Sequence, residues 1–365
     1  MSTVQSKKKS KLSLGKVLGR IFLTLLITII LVAVLLLGVI FIMEQGPSKA
    51  AKELFVRSVN ETSALKFVAG IFLPENETTA ILSQTTSNYD AEIERSLLEL
   101  VGSEESSESE DIWVTKDTDN DGIIVEKVVG NTFSGYMMIV KDPMRVMLAI
   151  DEDHYGYKSH YVDEYCEMYE AIAGINGGGF ADENGQGNGA ESDSLVVYCG
   201  DFFSNYYGTK NGFVGIDDKG VLHVDCQTSA EIEDANIMFG CAYGPILVKD
   251  GKIVDNLISD WSGLNPRTAI GQKEDGSILL LVIDGRHVDS LGAQYSDLAN
   301  VMLDYGAVNA GNMDGGSSTA MYFNGERLNN KAAVLGARPC PNAWVVLPEG
   351  DSSTNVIKEM RPDAK

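Results

Sequence analysis

Twenty-three consecutive residues, Ile21 to Met43, carry no charge, and only Thr24, Thr28 and Gly38 interrupt their apolar side chains. About 20 apolar residues cross a bilayer as one helix. A cleaved signal peptide has an apolar core of about 7–15 residues and a small-x-small cleavage site. The run is too long for that, and Phe41-Ile42-Met43-Glu44 offers no such site. It reads as an uncleaved transmembrane anchor. Lys7, Lys8, Lys9, Lys11, Lys16 and Arg20 precede or open it, and no acidic residue occurs before Glu44. The positive-inside rule then puts residues 1–20 in the cytoplasm and everything after the span outside the cell, the topology of a single-pass cell-membrane protein.

Beyond the span, the chain carries 23 basic and 52 acidic residues, a formal charge of −29. Such a body repels phosphate backbones, which excludes non-specific nucleic-acid binding. An anionic substrate needs a locally basic pocket. Five cysteines (Cys166, Cys199, Cys226, Cys241, Cys340) without a CxxC spacing make neither a disulfide framework nor a zinc ribbon. They read as buried thiols with at most one bridge. Asn60 and Asn76 stand in glycosylation sequons.

Five segments are expected: a basic tail (1–20), the anchor (21–43), a membrane-proximal stalk and acidic linker (44–111), a globular domain (112–350) and a C-terminal tail (351–365). The linker at 102–111, GSEESSESED, has no apolar residue and is solvated. The globular domain reads as α+β, a mixed β-sheet core with flanking helices. Three hairpins are legible where glycine-containing turns part β-branched runs. They join Phe213–Ile216 to Val221–Val224, Ile246–Lys249 to Lys252–Val254, and Thr268–Gln272 to Ser277–Ile283. Ile278 to Ile283 is apolar throughout and suits a strand buried on both faces. A helix capped by Ser296 and closed by Gly306 follows, and then a strand from Ala307 to Met313. This order predicts a parallel βαβ unit with Asp284-Gly285-Arg286 and Asp314-Gly315-Gly316 at the carboxyl ends of neighbouring strands, the edge where ligands bind.

Asp284 and Asp314 could there act as acid and base, or as nucleophile and acid, and Arg286 could fork onto a phosphate. Gly177-Gly178-Gly179 after Asn176 could form an anion nest. His287 follows Arg286 and could line the site, with His154 and His160 at the surface. Ser317 has no base in sequence and suits hydrogen-bond donation. No HExxH, GxSxG or phosphate-loop motif occurs. Asp117-Thr118-Asp119-Asn120-Asp121-Gly122 imitates the start of a calcium loop, but Val128 stands where a bidentate Glu belongs, and the segment reads as a turn. No metal and no cofactor is expected.

Taken in order, AIAGINGGGF (Ala171–Phe180), GPILVKDGKIV (Gly244–Val254), NPRTAIGQ (Asn265–Gln272), LLVIDGRHVDSLGAQYSDLA (Leu280–Ala299) and GAVNAGNMDGGSSTAMYFNG (Gly306–Gly325) resemble the phosphodiester glycosidase family. This is the family of the uncovering enzyme and of bacterial exopolysaccharide-associated proteins. Gly336-Ala337-Arg338-Pro339 fits its closing segment, and the likeness runs from about Val125 to Leu347. Ala181 and Cys340 depart from the family's usual residues.

The resemblance implies hydrolysis of a sugar-1-phosphate diester at the anomeric carbon. It implies a site drawn from Asn176, Arg267, Asp284, Arg286 and Asp314. Arg267 and Arg286 would bind phosphate, Asp284 and Asp314 would share the nucleophile, base and acid work, and Asn176 would bind a sugar hydroxyl or phosphate oxygen. Gly177, Gly178, Gly315, Gly316, Ser317 and His287 would line the substrate. A phosphate monoester is a weakly basic leaving group, so arginines can replace part of a general acid. The expected protein is a membrane-anchored extracellular hydrolase of phosphate-linked glycans or cell-surface polysaccharide. A non-catalytic exopolysaccharide-binding or assembly protein and a metal-dependent phosphodiesterase are the alternatives.

Overall fold

The computed structural model describes residues 14–83, 112–182, 187–203, 212–226, 228–258, 262–332 and 336–360. The linker expected at 102–111, most of the basic tail and the end of the C-terminal tail fall outside the described residues.

Helix α1 (Leu14–Gln45) contains the apolar run, and from Val17 to Gln45 it is long and apolar enough to cross a membrane. Its side chains are exposed along nearly the whole length. Ser48 then caps α2 (Lys49–Asn60) by accepting from the Ala51 N–H, a 3-10 helix follows at Ser63–Gly70, and α3 (Glu75–Ser83) completes the stalk. Val56, Ala69, Leu73 and Ile81 give these short helices a small core of their own.

The strands, numbered in chain order, form three sheets. The largest runs β1 (Ile123–Val129), β2 (Ser134–Val140), β13 (Ile278–Ile283), β12 (Arg267–Lys273), β14 (Ala307–Met313), β10 (Ile246–Lys249), β11 (Lys252–Ile253). The second runs β16 (Glu326–Arg327), β15 (Met321–Phe323), β4 (Ala173–Asn176), β17 (Ala343–Val346), β3 (Val146–Ala149). The third runs β6 (Asp201–Phe202), β5 (Val196–Tyr198), β9 (Ile237–Ala242), β7 (Phe213–Asp217), β8 (Leu222–Val224). All three expected hairpins form, as β7–β8, β10–β11 and β12–β13. The period-two alternation of β13 sends Ile278, Leu280 and Val282 into the core shared with β3, β4 and β17. Leu279, Leu281 and Ile283 go the other way, against Leu298, Val301 and Met302 of the helix Tyr295–Asp304. Both faces of this strand are buried, as its uninterrupted apolar run requires.

The parallel βαβ unit does not form. Among the described residues every strand pairing is antiparallel, and β12 lies between β13 and β14. The short turn makes β12 the hairpin partner of β13, and β14 pairs with the other side of β12. β13 and β14 still run in the same direction, each antiparallel to β12. Their ends therefore share one sheet edge, two strand spacings apart at about 9.5 Å, where adjacent strands would stand about 4.8 Å apart. The helix between them is capped two residues earlier than expected: Gln294 is the N-cap, its N–H donating to Asp297 Oδ2 at 2.8 Å, and Ser296 lies inside the first turn. Gly306 closes the helix with φ +84, as predicted. All five cysteines are free thiols. His160 is buried, not superficial, with Nε2 2.8 Å from Asp151 Oδ2.

Candidate active site

The antiparallel register decides what meets at the shared edge. Arg267 opens β12 opposite Ile283, and Thr268 pairs with Met313. The first side chain of β12 thus stands beside the turns that leave β13 and β14. A cavity of about 460 Å³ opens there. Arg267, Arg286, Asp314, Gly315, Gly316 and Ser317 line it, six of the residues named from the sequence. Asn176, Gly177, Gly178, Asp284 and His287 are not among its lining residues.

Arg267 is buried and held by four partners. Its Nε donates to Ala293 O at 3.1 Å and its Nη2 to Gly263 O at 2.9 Å and Glu61 Oε2 at 2.6 Å. The guanidinium lies 4.1 Å from the Tyr295 ring centroid. Burial works against its charge, yet Tyr295 and Glu61 outweigh that and hold its pKa above the ordinary value. Arg286 donates through Nη2 to Thr62 Oγ1 at 2.9 Å and Asn265 Oδ1 at 3.0 Å. Burial, and then the Arg267 charge, lower its pKa. Arg267 thus lowers Arg286, and two guanidinium groups close enough for that effect mark a place for an anion. Gly316, at φ +61, is where a Cβ would come within 3.2 Å of Arg286 Nη2, so glycine there leaves the guanidinium room.

Burial pushes the Asp314 carboxyl up to about 6. Hydrogen bonds from Ser318, Tyr243 and the Gly315 N–H pull the other way, and the Asp193 charge adds to the rise. The Gly315 N–H donates to Asp314 Oδ1 at 2.8 Å. A carboxyl poised there changes charge in the range where most acid–base catalysis operates. The Ser317 hydroxyl, on the same turn, is buried without a hydrogen-bond partner.

Asn176 works on the backbone of this site. Its Nδ2 donates to Asp314 O at 2.6 Å. Its Oδ1 accepts from Thr268 Oγ1 at 2.7 Å and the Ala320 N–H at 3.1 Å. The side chain therefore locks the end of β14 to β4 and β12, where the sequence had it touching substrate. Asn342 engages the glycine run: Gly177 N donates to Asn342 O at 3.1 Å and Gly178 N to Asn342 Oδ1 at 2.8 Å. A Cβ on Gly177 would fall on Asn342 Oδ1. The expected anion nest is thus a close crossing of two strands. The Asp284 carboxylate is occupied as well. Its Oδ1 accepts from Asn330 N at 2.8 Å and Asn329 Nδ2 at 3.3 Å, and its Oδ2 from Asn330 Nδ2 at 3.0 Å. His287 Nε2 lies 2.6 Å from Lys331 O.

Sequence reasoning gave no role to the remaining walls: Glu61 and Thr62 from the stalk, Tyr243 and Asp193, and Phe180, Asp182 and Arg338. Arg338 forks onto Asp182 at 2.7 and 3.0 Å and lies 4.6 Å from the Phe180 centroid. Arg338 stands in the closing matched segment, and Asp182 lies two residues past the segment that ends at Phe180. Glu61, over 200 positions from Arg267, had no sequence signal. Among the described residues the one grouping of three acidic metal-ligand side chains is Asp117, Asp119 and Asp121, and none of them lines the cavity.

Fold and site together define an antiparallel α+β domain with an arginine-lined, anion-accepting cavity and a titratable carboxyl. Residues 169–347 match the model of the family described as phosphodiester glycosidase, and this part of the chain is similar to that family. An SPbeta prophage-derived uncharacterized protein, YomE, of Bacillus subtilis is 32% identical over 197 residues, 52% of this chain and 30% of that protein. The N-acetylglucosamine-1-phosphodiester alpha-N-acetylglucosaminidase of Bos taurus is 24% identical over 212 residues, 52% of this chain and 39% of that enzyme. The chain thus spans less than half the length of either relative. A crystal structure of a hypothetical protein from Synechocystis shares the fold with a TM-score of 0.51 at 15% identity, covering 64% of this chain and 63% of that one.

Proposed function

We propose that the protein hydrolyses sugar-1-phosphate diesters at the anomeric carbon, as a membrane-anchored phosphodiester glycosidase with its cavity outside the cell. The observation that carries this reading is the Glu61 carboxylate seated on Arg267 inside the cavity. The pocket accepts an oxyanion at the place where a phosphate would sit. In a substrate complex the phosphodiester takes over that position, flanked by Arg267 and Arg286. Charge building on the leaving phosphate is met by fixed guanidinium groups, which lowers the barrier without a strong proton donor. Asp314, ionised, faces the anomeric carbon and stabilises or captures its oxocarbenium-like centre. The Ser317 hydroxyl donates to a substrate oxygen. Asn176 and Asp284 position backbone and do not touch substrate.

Full-length protein in detergent, given a chromogenic α-sugar-1-phosphodiester, is expected to release free sugar, and Asp314→Asn to abolish release. In labelled water the label must enter the sugar. Entry into phosphate, with loss of activity on chelation, would establish a metal-dependent phosphodiesterase instead. One observation favours a binding protein: the second carboxylate of the expected pair, Asp284, is consumed by Asn329 and Asn330. Tight binding of the diester with no sugar released would establish that reading.

A further inference from the structure

Outside the cavity, Asp117 is a buried acidic group with an unpartnered carboxylate oxygen. Asp117 follows the short helix Ile112–Thr115 and is 6% exposed. Its Oδ2 accepts from the Gly122 N–H at 3.1 Å, but its Oδ1 is shut off from solvent and has no hydrogen-bond donor. A carboxylate oxygen buried without a donor or a cation is costly, and native structures seldom leave one so. Carboxylate oxygens of Asp117, Asp119 and Asp121 all lie within 4.8 Å of one another. That separation is what a common ion at about 2.3–2.6 Å from each oxygen allows.

The geometry points to a calcium site at this turn. Asp117, Asp119 and Asp121 take the first, third and fifth places of the loop, and Gly122 the sixth, with φ +76 as its sharp bend requires. The seventh place supplies a backbone carbonyl in such loops, and here it is Ile123. The Lys141 N–H donates to Gly122 O at 2.9 Å, so the antiparallel alternation turns the Ile123 carbonyl away from β2, toward the open edge of β1. The donor set is all oxygen, which selects calcium over zinc or copper. Val128 in place of the bidentate Glu leaves coordination positions to water, and the site belongs to the weak class with Kd of about 0.1–1 mM. The nearby cation, Arg145, does not fill the role. Its Nη1 donates to the Asp121 carbonyl at 2.6 Å and its Nε to the Leu347 carbonyl at 2.8 Å, not to the carboxylates. Bound calcium would pin the start of edge strand β1 where the chain enters the globular domain.

The test uses the full-length protein in detergent, stripped with chelator and titrated with calcium chloride or magnesium chloride. One calcium per chain is expected to bind with half-saturation at about 0.1–1 mM. At 10 mM calcium the thermal midpoint should rise by about 2–4 °C, and magnesium at the same concentration should not reproduce it. Asp119 is exposed, so Asp119→Ala keeps the fold and should abolish both effects. Asp117→Asn retains an acceptor for the Gly122 N–H and should do the same. No calcium-dependent heat or midpoint shift, an equal effect of magnesium, or binding unchanged in Asp119→Ala would each overturn the site.

Discussion

Arg286 holds a left-handed backbone, φ +63, and from it aims one guanidinium nitrogen at Thr62 and Asn265. A lysine keeps the charge but cannot span two acceptors and a phosphate with a planar fork. Charge-assisted bonds of this kind are worth roughly 1.5–3 kcal/mol each. Arg286→Lys should therefore lower kcat/KM about ten- to a hundredfold with the domain still folded, and unchanged kinetics would remove Arg286 from the site. Asp314 gives a prediction in pH. Its folded-state pKa of about 6 lies above the ordinary 3.8, so it is ionised only above about pH 6. If the ionised form reacts, kcat/KM rises with pH through about 6 and then levels. Stability moves oppositely. Between about pH 4 and 6 the unfolded chain gives up this proton and the folded one keeps it, so the Asp314 contribution declines as pH rises. A pH profile that falls through 6 would assign Asp314 as the general acid.

At the scale of elements, six residues that line the cavity were legible, and the strand pairing that brings them together was not. The three hairpins carry strong local signals, because glycine turns and β-branched runs sit within a dozen residues. The insertion of β12 between β13 and β14 is a choice among partners far apart in sequence, and nothing local encodes it. An antiparallel β12 still leaves β13 and β14 pointing the same way, so Arg286, Asp314 and Arg267 line one cavity. Asp284 and Asn176 look identical in sequence to residues that touch ligand. Their partners tell them apart: Asn176 bonds groups where β4, β12 and β14 cross, and the Asp284 carboxylate accepts from Asn329 and Asn330. Asn176→Ala tests that distinction. It leaves the buried Thr268 hydroxyl and Ala320 N–H and the part-buried Asp314 carbonyl without this partner. Each such group costs about 1–3 kcal/mol. The thermal midpoint should fall by several degrees and kcat should fall with it, since the Asp314 turn loses its tether. A kcat/KM loss with undiminished stability would instead make Asn176 a substrate contact.

For the molecule as a whole, the stalk is the part whose meaning changed most. Composition marks it as a polar spacer between membrane and domain. Folded, it has its own small core, and it docks on the domain through Glu61. The Glu61 carboxylate accepts from Gly263 N at 2.6 Å, Asn265 Nδ2 at 2.9 Å and Arg267 Nη2 at 2.6 Å, while the Ser58 hydroxyl accepts from Leu264 N at 2.9 Å. Removing residues 1–43 leaves this contact intact, and that shortened chain should be soluble and folded. A chain beginning at residue 112 exposes Arg267 and loses the competing carboxylate. The main cores contain no stalk residue, so it too should fold, though less stably. If substrate phosphate must displace Glu61, the shorter chain should show a KM lower by about tenfold, the worth of one charge-assisted hydrogen bond. Glu61→Gln in the full-length chain should move KM the same way by a smaller factor, because an amide still fills the space but no longer neutralises Arg267. The comparison separates blockage from structural support. Support predicts that both changes raise KM and lower the thermal midpoint together. Competition predicts that KM falls while the midpoint also falls, because the ion pair that holds the stalk in place is the same one that keeps phosphate out.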